Sequence, residues 1–491
     1  METRTLPEDW KKANITAIHK KGSKTVAGNY RPVSLTSVVC KLLETLVRDM
    51  LVTHMKTNNL LSKKQFGFIS GRSTVLQLIQ VLEKWTETLD QGGCVDVVYC
   101  DFMKAFDKVP HQRLIQTLRH YGVTDPLLGW IGQFLNKRKQ RVLVNGSSST
   151  WQSVISGIPQ GTVLGPILFV AYINSLPGVV TNSDIYLFAD DTKVFKSIFS
   201  EKDCEQLQKD IDAMNKWTDT SLLKFHPDKC VSMRIGKSQV KEGQYTMGPD
   251  KHQLSKSEVE KDIGVFIDEK LSFDTHISAK VNKANQMMGT IRRTYEYLDE
   301  SSFLLLYKAL VRPHLEYANQ VWAPSLKKQE TEIENVQRRA TKLLPGFNEL
   351  SYEERLQKLQ LPTLKYRRIR GDMIEMYKIL SGKYDPDVSN FIKLHKSKYD
   401  TRGHQYKVEK VSAKLNIRKN AFINRSIDLW NSLPPHVVNA KTIMSFEKLL
   451  DKHWSTHDFV FNADATKPTQ RENQKDLTEE ANNLHESEED L

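Results

Sequence analysis

The stretch Ile185-Tyr186-Leu187-Phe188-Ala189-Asp190-Asp191-Thr192-Lys193-Val194-Phe195 sets two adjacent carboxylates at a tight bend between two apolar, strand-like runs. Alone, such a pair is an ordinary solvated turn, because Asp favours turns through hydrogen bonds to nearby backbone. A second acid upstream has the same setting. Val95-Asp96-Val97-Val98-Tyr99-Cys100-Asp101-Phe102 is rich in β-forming residues and delivers Asp101 at its end. Two buried strands that end in carboxylates can lay those groups side by side across one sheet. Like charges at close range repel and raise one another's pKa, so the cluster does nothing for the fold itself. A pair of divalent cations resolves that cost, and carboxylates so placed are the ligand set of a two-metal phosphoryl-transfer site.

The 491-residue chain has room for two to four domains, and its 39% hydrophobic content is enough for packed cores. Its net charge of +12 is unevenly spread: residues 463–491 hold three basic and nine acidic side chains, which leaves +18 on residues 1–462. A basic body of this kind fits a polyanionic partner. The five cysteines are scattered, odd in number and free of any Cys-x-x-Cys spacing, which argues for a reducing compartment and against a disulfide framework or a zinc knuckle. No signal peptide precedes Trp10, and the longest apolar run, Val163 to Ile173, is too short to span a bilayer and contains Gly165 and Pro166. An intracellular, soluble protein with no membrane partner is expected.

Apolar residues recur at helical spacing from Lys41 to Leu61 (Leu42, Leu43, Leu46, Val47, Met50, Leu51), which predicts an amphipathic helix. A second helix is expected from Ser73 to Leu89, then the Asp101 strand, helices from His111 to Tyr121 and on to Leu135, and strands near Arg141–Val144 and Trp151–Ile155. Glu201 to Leu223 reads as helix, Ile263 to Ile267 as a short strand, and His276 to Leu344 as nearly all helix. A further basic, mostly helical region runs over Ser351–Leu449. The last thirty or so residues lack large apolar side chains and are expected to be disordered. Strands alternate with helices and both acid clusters fall on strands, so the centre is an α+β sheet covered by helices.

Between the acid clusters lies Ser156-Gly157-Ile158-Pro159-Gln160-Gly161-Thr162-Val163-Leu164-Gly165-Pro166-Ile167-Leu168-Phe169, where glycines and prolines fix an unusual path ahead of an apolar helix. With this segment in place, the order Asp101, Pro159-Gln160-Gly161, Phe188-Ala189-Asp190-Asp191 resembles reverse transcriptases. More closely, it is similar to the polymerases of jockey-like non-LTR retrotransposons. Asn29-Tyr30-Arg31-Pro32-Val33-Ser34-Leu35, Gln65-Phe66-Gly67-Phe68, Gly71-Arg72-Ser73-Thr74 and Phe106-Asp107-Lys108-Val109-Pro110-His111 extend the likeness. It continues through Asp262-Ile263-Gly264-Val265 and Arg312-Pro313-His314-Leu315-Glu316-Tyr317 to Trp430-Asn431-Ser432-Leu433-Pro434, covering the chain from about Trp10 to Trp454.

The resemblance implies a right-hand polymerase: fingers over 1–92, a palm with an antiparallel sheet over 93–275, a helical thumb over 276–345, a basic helical region over 346–462 and an acidic disordered tail over 463–491. It implies two Mg²⁺ ions bound by Asp101 and Asp190, with Asp191 assisting and the Phe102 carbonyl as a further ligand. Asp107 is expected to be structural. Phe106 matches the sugar gate that would select deoxynucleotides, and Gln160 and Gly161 match positions that touch the incoming nucleotide and template base. Arg31 and one of Lys20 or Lys21 would clamp the triphosphate, Arg72 would contact template, and Lys229 would protonate leaving pyrophosphate. In the thumb, Arg292, Arg293, Arg338 and Arg339 would hold the template–primer hybrid by its backbone.

Family members carry an endonuclease domain and part of the fingers ahead of the first motif seen here, so both are expected to be missing. Ile69 stands where Arg is common and Ser175 where Asp is usual, which predicts weakened template handling. No ribonuclease H constellation is recognisable after Leu344. The expected function is RNA-directed DNA polymerisation, with RNA template, DNA primer and deoxynucleoside triphosphates as partners and, by analogy, a place in cytoplasm and nucleus. The alternative is an impaired element-derived fragment that only binds nucleic acid.

Overall fold

The computed structural model describes residues 6–20, 22–395 and 404–466. The triphosphate role offered to Lys21, and the tail beyond residue 466, lie outside those residues. The chain divides into two compact units: Met1–Arg72 with Val95–Arg234 and Gln239–Ser257, and Ser73–Cys94 with Ile235–Ser238 and Glu258–Leu491.

The first unit contains β1 (Lys12–His19), β2 (Tyr30–Leu35), α1 (Val38–Thr57), β3 (Cys94–Cys100), β4 (Lys139–Val144), α2 (Gly165–Ile173), β5 (Asp184–Phe188), β6 (Asp191–Ile198), α3 (Glu201–Ser221) and β7 (Val231–Ile235). Its main sheet runs in the order Ser255–Lys256, β7, β3, β6, β5. β3 is the middle strand and is buried along nearly its whole length, as a continuous Val-rich run should be when both faces are covered. α2 is buried almost all round. Its side chains Phe169 and Ile173 join Val98, Leu114, Ile131 and Phe134 in one core. β5 and β6 form an antiparallel hairpin in which Phe188 pairs with Asp191.

A second sheet of the same unit runs β2-β1-β4, with β1 antiparallel to β2 and parallel to β4. The expected strands near Arg141–Val144 and Trp151–Ile155 are present as β4 and the two-residue strand Gln152–Ser153, and Ser147–Ser148 also pairs with β4. Neither β1 nor β2 was expected from the residue pattern. Both are largely exposed, and β1 is recognisable afterwards by the alternation that buries Ala13 and Ile15.

The amphipathic helix expected from Lys41 is α1, which starts at Val38 behind the cap Ser37. Its inward face differs from the simplest reading of its spacing. Cys40, Glu44, Val47, Leu51 and Met55 are buried, while Val38, Leu42, Leu46 and Met50 are exposed. Two apolar stripes lie next to each other on this helix, and periodicity alone does not say which one faces the core.

The second unit opens with the helix Thr74–Asp90. The strand expected over 263–267 is instead a hairpin, Val259–Asp262 with Val265–Asp268. Ile263 and Gly264 sit at its tip with φ of +43° and +89°, and a left-handed pair of this kind suits a tight antiparallel turn. The helices α4 (Asp274–Thr294), α5 (Lys327–Thr341) and α6 (Leu364–Leu380) follow, with shorter helices between and after them. Phe422–Ser432 and Ile443–His453 pack against α6, so the Trp430-containing motif is a core element of this unit, with Trp430 fully buried. Among the described residues, no helix is long and apolar enough to cross a membrane.

Candidate active site

β3 ends at Cys100, so Asp101 emerges at the end of the central strand. The backbone of the following turn fixes it there: His226 N–H donates to the Asp101 carbonyl at 2.8 Å and Met103 N–H to the Lys224 carbonyl at 2.8 Å. These bonds flank the bridge between Phe102 and Phe225. Such a wide pair turns the Phe102 carbonyl away from its partner strand. The Phe102 ring stays inside, 4.4 Å from that of Phe225. The short turn Pro227–Lys229 then carries Lys229 Nζ to 3.4 Å from Asp101 Oδ2.

Asp190 sits in the two-residue tip of the β5–β6 hairpin, after Ala189, whose φ is +57°. The segment Lys64–Phe66 runs along β5: Leu187 N–H donates to the Lys64 carbonyl at 2.9 Å and Phe66 N–H to the Leu187 carbonyl at 2.8 Å. Gly67 comes so close that an added Cβ would meet the Ala189 nitrogen at 2.4 Å. Burial, before anything else, pushes the Asp190 carboxyl above the usual carboxylate range, and the charge of Asp101 adds to the rise. Arg31 and Lys20 pull in the opposite direction. Asp101, Asp190, Lys20, Arg31 and Lys229 all line one cleft of about 1190 Å³.

The Gly/Pro-rich segment forms a further wall of that cleft. Gln160 Nε2 donates to Asp107 Oδ1 at 3.0 Å, and the Gln160 carbonyl accepts from Ser34 N–H at 2.7 Å. Gly161 has φ of +99°, and a Cβ on it would stand 2.9 Å from the Ser34 carbonyl, so glycine is needed there for both reasons. Under the loop, Glu44 is buried and its Oε2 accepts from Val163 and Leu164 N–H at 2.8 and 3.0 Å, closing the start of α2. Phe106 is half-buried, faces the cleft and stacks on Phe169 with ring centres 4.2 Å apart.

The sequence pattern of the family described as "Reverse transcriptase (RNA-dependent DNA polymerase)" matches residues 18–270, a span that holds every group just described. The chain belongs to the reverse transcriptase family. It is 27% identical over 363 residues to the probable RNA-directed DNA polymerase from transposon BS of Drosophila melanogaster, covering 70% of this chain and 39% of that protein. It is 28% identical over 356 residues to the RNA-directed DNA polymerase from mobile element jockey of the same organism, covering 70% of this chain and 38% of that protein. The reverse transcriptase chain thus spans about two fifths of these relatives. Among solved structures, apo telomerase from Candida tropicalis aligns with a TM-score of 0.42 and 10% identity, covering 73% of this chain and 62% of that one.

The reverse transcriptase fold gathers most of the site expected from the motifs, but not all of it. Asp101, Phe102, Asp190, Lys229, Lys20, Arg31, Phe106, Gln160 and Gly161 share the cleft, and Asp107 lines it as well, its Oδ1 accepting from Gln160 Nε2. Asp191 does not line it; it is exposed as the first residue of β6. Arg72 is also elsewhere, its Nη1 donating to the Ser62 and Gln65 carbonyls at 2.6 Å each. The two departures from the family pattern have internal partners. Ile69 is buried in the core, and Ser175 Oγ accepts from Trp217 Nε1 at 3.0 Å. Gln65 entered the sequence reading only as part of the Gln65-Phe66-Gly67-Phe68 likeness, with no role assigned, and Glu44 did not enter it at all.

Among the described residues, no three His, Cys, Asp or Glu side chains close on a metal-sized site. A cation in the reverse transcriptase cleft would therefore rest on two carboxylates and share its remaining coordination with bound phosphates. The oxygen-only donors and the mutual repulsion of Asp101 and Asp190 fit Mg²⁺, which takes few protein carboxylates and keeps other oxygens.

Proposed function

We propose that this chain is the polymerase part of a jockey-like, non-LTR mobile element. It would be an RNA-directed DNA polymerase that joins deoxynucleotides to a DNA primer 3′-hydroxyl on an RNA template. The observation that carries this reading is that Asp101 and Asp190, far apart in the chain, line one cleft with Lys20 and Arg31 and that the other three act electrostatically on Asp190.

The primer oxygen attacks the α-phosphorus, a new phosphodiester bond forms, and the bond to pyrophosphate breaks. Two Mg²⁺ ions held by Asp101, Asp190 and the Phe102 carbonyl would activate the hydroxyl and offset charge on the phosphates. Lys20 and Arg31 hold the triphosphate, Arg31 through a planar fork suited to phosphate oxygens. Lys229 Nζ, already beside Asp101, gives its proton to the departing pyrophosphate. Phe106, backed by Phe169, presents a fixed ring where a ribose 2′-hydroxyl would have to go. Gln160, restrained by Asp107 and Ser34, positions the base pair being formed. In this reading the first unit supplies fingers strands and palm, and the helices of 276–345 form the thumb.

Primer extension tests it: purified chain, oligo(dT)-primed poly(rA), deoxythymidine triphosphate and Mg²⁺, beside Asp190→Ala/Asp191→Ala. Extension by the parent and none by the double variant is expected. Salt-sensitive binding of the hybrid without extension would replace this reading with that of a nucleic-acid-binding relic.

A further inference from the structure

Gln65 stands outside the chemistry above, yet both ends of its side-chain amide reach the hairpin that carries Asp190. It is 1% exposed. Its Oε1 accepts from Ala189 N–H at 2.9 Å and from Gly67 N–H at 2.8 Å, and its Nε2 donates to the Ala189 carbonyl at 3.4 Å. One amide thus answers both polar groups of Ala189, a residue with a Cβ held at φ +57°. That conformation is unfavourable for an L-residue, and it persists only where the surroundings impose it. The Ala189 peptide is also the last link before Asp190, so its rotation sets the direction of the carboxylate.

The mount of Gln65 is itself fixed. Its backbone pairs with Leu187 beside β5, and its carbonyl accepts from Arg72 Nη1 at 2.6 Å. From the other side, Gly67 gives the hairpin room to sit where it does. An ordinary core glutamine needs only to satisfy its own amide. The three side-chain bonds of Gln65 named above all run to the strained peptide or to the glycine that abuts it.

We propose that Gln65 is a positioning residue for Asp190: it clamps the Ala189 peptide and so holds the Asp190 carboxylate toward Asp101. The inference rests on the polymerase reading but is separable from it by experiment.

The full chain would be compared with Gln65→Met, which keeps the length of the side chain and removes its bonds, and with Gln65→Asn, too short to span both Ala189 groups. Three quantities are measured: primer extension resolved into kcat and nucleotide KM, binding of Mn²⁺ alone followed by its electron paramagnetic resonance signal, and thermal melting. In both variants kcat should fall about 10- to 100-fold and Mn²⁺ affinity by a similar factor, as for groups that orient metal ligands. Nucleotide KM should stay within about threefold, since Lys20 and Arg31 are untouched. Folded variants whose kcat and Mn²⁺ affinity stay within about twofold of the parent's would overturn the clamp while leaving the polymerase reading intact. If the parent fails to extend a primer, that reading falls and the Mn²⁺ comparison decides the clamp by itself. If Gln65→Met does not fold, Gln65→Asn carries the same test. A parent that neither extends nor binds Mn²⁺ overturns both.

Discussion

Asp190 weakens the fold that holds it. Its folded pKa is raised, by burial first and by Asp101 next, so the stability it contributes is fully present below the unfolded carboxylate pKa. That contribution is lost as pH rises through the folded value. Asp190→Asn should therefore melt higher than the parent at pH 7, with a gap that closes toward pH 4, while primer extension drops by about 10²- to 10³-fold or more. Asp191→Asn should lose less, because Asp191 is exposed and lies off the cleft. Scanning calorimetry and steady-state extension would check both, and equal losses would refute the asymmetry. Phe106→Val removes a ring that stacks on Phe169. It should reduce discrimination against ribonucleotides by about 10- to 100-fold and cost about 1–2 kcal/mol of stability, as expected for a half-buried aromatic. Unchanged sugar selectivity in competitive incorporation assays would remove Phe106 from the gate. At this scale the sequence was legible wherever residue type and chemistry coincide. Paired acids at strand ends have few uses, whereas Gln65 and Glu44 act on backbone amides 124 and 119 residues away. No local pattern records such a reach.

The elements bring these residues together through backbone geometry that only certain sequences allow. The turn at Gly157 shows it most directly. Its φ is +89°, its N–H donates to the Val109 carbonyl at 2.8 Å, and an added Cβ would lie 2.5 Å from the Asp107 carbonyl oxygen. Gly157→Ala therefore meets both torsional strain and an overlap with backbone that cannot step aside. A loss of about 2–4 kcal/mol is expected, together with impaired extension, since Asp107 is the partner of Gln160. Chemical denaturation of the variant would show it; a change under about 0.5 kcal/mol would mean that the turn relaxes freely. The glycines and prolines around Gln160 were a sound sign of a special path, because few other residues reach such torsions. Less could be seen of α1, where two apolar stripes lie side by side and the buried one is the stripe interrupted by Glu44. A carboxylate inside looks like an error in the pattern until Val163 and Leu164 N–H groups are found at its end. Likewise the Ile263–Gly264 tip reads as part of a strand because Ile is a strong β-former, and only the paired register reveals the turn.

For the whole molecule, the division into two units means that unfolding need not be one transition, so pH effects belong to the unit that holds the titrating group. In the second unit, His276 is fully buried, its Nδ1 accepting from Phe266 N–H at 3.1 Å beside the ring of Trp322. Burial first, then the charges of Lys280 and Lys261, lowers its pKa to about 3 from an ordinary 6.5. Between those values the unfolded chain binds a proton that the folded unit refuses, so stability rises with pH and is lost as pH falls. From pH 7 to pH 5 this one group should remove about 2 kcal/mol. Hydrogen exchange over peptides spanning 259–277 would follow it locally, with His276→Asn, which keeps an acceptor without a titrating ring, as the reference. The difference in protection between parent and variant should shrink or reverse on acidification, because only the parent carries the penalty. A difference independent of pH would mean that water reaches the imidazole and lets it charge in place.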